Sequence, residues 1–203
     1  MNKIVCISRQ FASGGHEIGR RLAEKYNIPI YDKELITQSM EKSGLDRKLI
    51  ESNDENAQNS MIYSIAMGQI TGFNTPYIAP PGDKVYYAQS EVIRELATQG
   101  ACIMIGRCAG EILRSLPNCV RIFIYANNEF RALRAIQYYN CTSENVIDTI
   151  RRNDRKRSFH FNHYNTCKWG SIESFDFAID TSKIGIEGAV QTIEAYLQNI
   201  GNN

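Results

Sequence analysis

Three things are scarce in this sequence, and each scarcity rules something out. Net charge is nearly absent: 23 Lys and Arg stand against 22 Asp and Glu, a formal +1. That balance argues against a dedicated nucleic-acid binder, although it is compatible with a local basic patch. Long apolar runs are absent too. None nears the ~20 residues that cross a bilayer, and Met1-Asn2-Lys3 leads straight into a short strand-like run with no signal-peptide pattern. Paired cysteines are the third absence. None of Cys6, Cys102, Cys108, Cys119, Cys141 and Cys167 forms a C-x-x-C pair, and four lie in or beside apolar or helical stretches, where free cysteine acts as a small hydrophobe. A reduced, cytoplasmic protein without membrane or nucleic-acid partners is expected. No internal repeat or low-complexity segment interrupts the chain. At 203 residues, 43% hydrophobic and 22% charged, it reads as one globular domain with a real core.

What is present is an alternation of short apolar runs and helical patterns. Lys3–Ile7, Ile28–Tyr31, "ACIMIG" (101–106), "CVRIFIYA" (119–126) and "FDFAID" (175–180) read as strands. Helical spacing is expected over His16–Tyr26, Lys84–Gln99, Asn128–Tyr139, from Ser143 into the basic stretch 150–157, and over Glu187–Leu197. Residues 34–69 are polar and helix-permissive, and 71–83 form a Pro/Gly loop. Buried strands alternating with helices predict an α/β fold, a parallel sheet covered on both faces. Ligands of such sheets sit at the carboxyl ends of the strands. The polar residues expected there are Ser8–Arg9, Asp32, Gly106–Arg107 and Asp180–Thr181–Ser182.

The stretch "SRQFASGGHEIG" (8–19) joins the first strand to the first helix. Two readings of its glycine pair stand. In one, Gly14 and Gly15 let backbone N–H groups and the helix dipole hold a phosphate, with Ser13 adding a hydroxyl. In the other, the turn only lets the helix pack on the sheet. The motif G-x-x-x-x-G-K-[ST] is not met: Gly15 stands at the lysine, and the magnesium-binding hydroxyl falls on His16 or Glu17. Arg9 follows the first strand and is a candidate for the missing charge. A lysine placed at Gly15 is expected to restore the standard contact, and a bulky residue at Gly14 to block the anion's place.

Four stretches in order, "IVCISRQFASGGHEIGRRLAEKYNIPIYDKELI", "IMIGRCAGEIL", "NDRKR" and "FDFAIDTSKIGIEGAV", resemble the cytidylate-kinase-like family of P-loop nucleoside monophosphate kinases, in the branch whose loop reads S-R-Q-x-x-S-G-G. The resemblance runs from Ile4 to about Leu197. It implies a three-layer P-loop NTPase-like fold with a five-stranded parallel sheet. The core would span 1–37, 101–142 and 172–203, with a helical monophosphate-binding insertion at about 38–100 and a basic lid at about 143–171. The implied reaction moves the γ-phosphoryl of ATP to CMP or dCMP, with magnesium. Residue by residue, Arg107 matches the arginine of G-R-D near the monophosphate, with Cys108 in place of the aspartate. Asp154 and Arg157 match the lid's D-x-x-R. The lid arginine expected at Ile150 is absent, and Arg151 would stand in for it. Asp32 matches the aspartate opening the monophosphate helix, where Lys33 replaces a serine. Arg9, Ser13, Gly14, Gly15, His16 and Glu17 would hold the nucleotide phosphates.

Side by side with that reading stand a degenerate, non-catalytic nucleotide binder and a P-loop kinase with a non-nucleotide acceptor. His160, His163 and Cys167 form H-x₂-H-x₃-C, but no further Cys or His follows to complete a zinc set. No metal site is assigned. The aromatics Phe159, Phe161, Tyr164 and Trp169 read as a clamp of the lid onto the core.

Overall fold

The computed structural model describes residues 2–42, 44, 47–48 and 81–200. Five strands form one sheet: β1 (Ile4–Arg9), β2 (Ile30–Tyr31), β3 (Cys102–Ile105), β4 (Cys119–Tyr125) and β5 (Phe177–Asp180). Their order is β2-β3-β1-β4-β5, and every pairing is parallel. Among the described residues the helices are α1 (Gly15–Tyr26), α2 (Lys33–Lys42), α3 (Pro81–Thr98), α4 (Ala109–Ile112), α5 (Asn128–Tyr138), α6 (Val146–Tyr164) and α7 (Thr181–Asn199). No described helix is long and apolar enough to cross a membrane.

The apolar runs form strands because both their faces are buried. Ile4–Ile7 and Cys102–Ile105 are inaccessible along their whole length. Val5, Ile7, Ile103 and Ile122 point to one layer, where Ile18 and Leu22 of α1 and Val190 and Ile193 of α7 meet them. Ile4, Cys6, Cys102 and Met104 point to the other, against Ile36 and Met40 of α2 and Val92 and Ile93 of α3. The described flanks of the 38–100 stretch therefore form one covering layer of the sheet; residues 49–80 lie outside the described residues. A smaller cluster of Phe11, Ala12, Ala135, Val146 and Ile150 seats the base of the lid helix α6 on the loop after β1.

Element ends moved from their sequence expectation where a cap decided them. Asp32 accepts from Glu34 N (3.1 Å) and Leu35 N (3.2 Å), capping α2 as expected of it. Asp180 accepts from Ser182 N (2.9 Å), so α7 starts at Thr181, not at Glu187. Gly185, at φ 69°, then kinks the helix, and this break hid the first turn in the sequence. All five strands end on one edge. That edge carries Arg9, Asp32, Gly106–Arg107 and Asp180–Thr181.

Candidate active site

The loop between β1 and α1 is built around two left-handed residues, Ala12 (φ 58°) and Gly14 (φ 90°). Ser13 is turned inward between them. Its hydroxyl donates to Gln10 O (2.9 Å) and Ile124 O (3.0 Å), and its carbonyl accepts from the Thr181 hydroxyl (2.8 Å). The expected hydroxyl contact to a phosphate is thus corrected: fully buried Ser13 pins the loop to β4 and α7. Gly14 also differs from expectation. A Cβ there would run into Ile186 Cδ1 of α7, not into the cleft, so its requirement is backbone conformation and packing.

Gly15 explains the missing lysine. It starts α1, and a Cβ on it would lie 2.7 Å from Arg9 Cβ and 3.0 Å from Arg9 Cγ. At the far end of the same side chain, a Cβ on Gly106 (φ +75°) would collide with Arg9 Nη1. Arg9 therefore lies in a slot walled by two glycines, at the point where a standard loop begins its lysine. The expectation that a lysine at Gly15 would be accommodated is reversed, because Arg9 occupies that space.

Arg157 reaches back from α6. It donates to Arg9 O (3.1 Å) and lies over the Phe11 ring, 5.7 Å from its centroid. Arg9 and Arg157 line both a cleft of about 290 Å³ beside Gly14, Gly15 and His16, and a narrower one leading to Arg107. Arg107 is 7% exposed, and nearby Glu111 pairs with Arg121 and Arg114. Gly106, Arg107 and Cys108 are all left-handed, at φ 75°, 57° and 55°. Two consecutive non-glycine residues in that region cost roughly 1–2 kcal/mol each, a strain of the kind stored at working sites. The Gln89 amide holds the turn by donating to Arg107 O (3.1 Å). Burial pushes the Arg107 guanidinium down to about 10, against the opposing pull of Cys108 and Asp32. The guanidinium is still charged at neutral pH, and an anion in the cleft would raise its pKa again.

His16 and Glu17 are otherwise engaged. His16 Nε2 meets Asp32 Oδ2 at 3.1 Å. Burial pushes the Asp32 carboxyl up, but the N–H bonds from Leu35 and Glu34 and the nearby His16 outweigh it and hold it below its ordinary value. Glu17 is held by Arg134 (2.7 Å) and Arg21 (2.6 Å), which likewise outweigh burial and lower its carboxyl. The loop thus offers backbone N–H groups and arginines that fit nucleotide phosphates. It offers no hydroxyl where a standard loop binds magnesium, and no described cluster of His, Cys, Asp or Glu suits a metal ion.

The residues expected to form a lid divide. Asp154 accepts from Phe11 N (2.7 Å) and pairs with Arg131 of α5. It orients that arginine and the loop, not the lid arginines around it. Arg151 is 76% exposed, with Asp148 at 3.8 Å. It lies outside the cleft, because one residue along α6 from Ile150 turns it through about 100°, and the buried Ile150 takes the inward face. His160 contacts Cys108 Sγ (3.4 Å) and His163 faces Asp83 (3.8 Å), so the two histidines join the lid to β3 and α3. The aromatic clamp is present: Tyr164 stacks on Tyr86 at 3.7 Å, and Trp169 stands edge-on to Phe123. Arg131 and Arg134 escaped the sequence reading. Their i, i+3 spacing on α5, beside buried Ala135, was the available signal.

The sequence profile described as the cytidylate kinase-like family matches residues 4–183. The chain belongs to that family. No curated protein matches it. The crystal structure of an uncharacterized protein from Eubacterium ventriosum ATCC 27560 is similar, with TM-score 0.72 at 25% identity over 97% of this chain and 98% of that one. Shikimate kinase from Acinetobacter baumannii, in complex with shikimate, gives TM-score 0.53 at 15% identity, covering 100% of this chain and 96% of its own. A sugar kinase from Janibacter sp. HTCC2649 gives 0.52 at 11%, covering 98% and 95%. The latter two share the three-layer P-loop kinase fold. Membership in the cytidylate kinase-like family, with this fold, supports a kinase-like phosphotransferase.

Proposed function

We propose that the protein is an ATP-dependent phosphotransferase of the nucleoside-monophosphate type, acting on CMP or dCMP. The observation that carries this reading is the convergence of Arg9, Arg157 and the buried Arg107 on adjoining clefts above the glycine loop. Phosphoryl transfer asks the protein for alignment and charge neutralisation more than for covalent chemistry. The loop N–H groups at residues 14–17, with Arg9, hold the donor phosphates. Arg107 faces the acceptor monophosphate. Arg157 lies between them, where the γ-phosphoryl leaves ADP and bonds to the acceptor oxygen. An arginine so placed contributes ~10³-fold or more in rate. Preference for cytosine rests on family membership alone, since residues 49–80 lie outside the described residues.

The His16–Asp32 pair favours one alternative. A carboxylate beside a histidine at the cleft suits deprotonation of a hydroxyl acceptor, which a monophosphate does not need. ADP release from ATP, with magnesium present, is to be measured against CMP, dCMP, AMP, GMP and a hydroxyl acceptor such as shikimate. Turnover with CMP or dCMP above AMP and GMP is expected. Turnover with the hydroxyl acceptor alone would replace the nucleotide reading, and none with any acceptor would remove catalysis.

A further inference from the structure

A parallel sheet normally has both faces covered, and here no described helix covers one part of a face. Phe123 of β4 and Ala178 of β5 are register partners, and Tyr125 lies two residues along on the same face. Ala178 is exposed and Tyr125 is 38% exposed. The Phe123 and Tyr125 rings lie 6.3 Å apart at 23°, side by side along the strand. Trp169 stands edge-on to Phe123 (5.2 Å, 88°), and Phe175 lies 4.9 Å from it. The space they bound is about 690 Å³, within the range of about 300–1,000 Å³ typical of small-molecule sites. Ile172, 86% exposed, is at its rim.

The lining says what this space would take. Among the described residues it contains no lysine or arginine. The one formal charge among them, Asp176, is neutralised by Arg121 through contacts of 3.2 and 2.6 Å. A phosphate has no counter-charge here, whereas a flat ring has aromatic surface on which to stack. Gln10 supplies polarity. Its Oε1 accepts from Ala126 N (3.1 Å), which fixes the NH₂ as the remaining end, and that NH₂ donates to no described residue. Gln10 also lines the phosphate cleft.

We propose that the open face of β4 and β5 is a second ligand site, for an uncharged planar heteroaromatic ring that stacks on Tyr125 and accepts a hydrogen bond from the Gln10 amide. The site adjoins the phosphate cleft at Gln10 but does not depend on the phosphotransferase reading. Through Gln10, whose carbonyl holds the Ser13 hydroxyl, an occupied site is linked to the glycine loop.

Trp169 is the only tryptophan, so its emission reports on this site. Adenosine and cytidine, rings without phosphate, are the probes, and pyrophosphate is the ring-free control. At least one nucleoside is expected to quench the emission saturably, and equally so in Arg157→Ala. Ala178→Phe fills the space, and Tyr125→Ala removes the stacking surface; each is expected to weaken binding at least tenfold in protein shown folded by circular dichroism. Should one variant fail to fold, the other decides. Absence of saturable quenching by both nucleosides overturns the proposal. So does quenching unchanged in the folded variants, or quenching reproduced by pyrophosphate and lost in Arg157→Ala, which would assign the signal to the phosphate cleft.

Discussion

Replacing Asp154 by alanine tests whether helix α6 is fastened to the loop by one half-buried carboxylate. The Arg131 side chain is 7% exposed and that of Asp154 17%, so the pair is largely out of water. Without the carboxylate, Arg131 keeps only Asn128 (2.7 Å), and its Nε already lacks a partner among the described residues. Stranding one member of a buried pair costs about 3–5 kcal/mol. The orphaned Phe11 N–H adds about 1 kcal/mol. Asp154→Ala is therefore expected to lose about 4–6 kcal/mol of unfolding free energy in urea, a large share of the ~5–15 kcal/mol of an ordinary domain. Arg131→Met in the same chain removes the stranded charge. The double variant should regain about 2 kcal/mol or more over Asp154→Ala, because replacing both partners costs less than breaking the pair. A loss below about 1 kcal/mol for the single change, or strictly additive losses in the double, would refute the fastening role.

Acid should loosen the fold in a defined window. Burial raises the Glu17, Asp32 and Asp176 carboxyls, but their hydrogen bonds and cationic neighbours outweigh it and hold all three below their ordinary values. A lowered folded-state pKa contributes stability that is complete above the unfolded value, about 4, and is lost as pH falls through the folded one. Unfolding free energy should therefore drop below about pH 4, less steeply in Asp176→Asn, and an unchanged slope would contradict this. Gly15→Lys should abolish binding of a non-hydrolysable ATP analogue while the fold survives, because its Cβ displaces Arg9; binding at wild-type strength would show that the slot is not needed.

The sheet was legible because its strands are short apolar runs too brief for helices, and parallel order follows from their alternation with helical patterns. β2 was overestimated: Ile28 and Pro29 are apolar, but the strand takes only Ile30 and Tyr31. The family was legible from ordered motifs. The inner workings of the loop were not. Serine beside two glycines looks the same whether its hydroxyl faces a phosphate or Ile124 O, and only the β4 position decides. Arg9, Gly15 and Gly106 meet because β1 and β3 are adjacent, a long-range pairing with no local signature. Arg151 and Arg157 share one basic run, and the turn of the helix separates the exposed residue from the one on the cleft.

In the proposed phosphotransferase, Arg9, lying between Gly15 and Gly106, supplies the charge that a standard phosphate loop takes from lysine. Titration calorimetry of Arg9→Ala with a non-hydrolysable ATP analogue tests it most directly, with Arg152→Ala of the outer lid face as control. A charge-assisted hydrogen bond contributes about 1.5–3 kcal/mol, so Arg9→Ala should weaken binding about 10- to 100-fold and Arg152→Ala should leave it unchanged. An Arg9→Ala protein that is folded and binds the analogue as tightly as wild type would contradict the account.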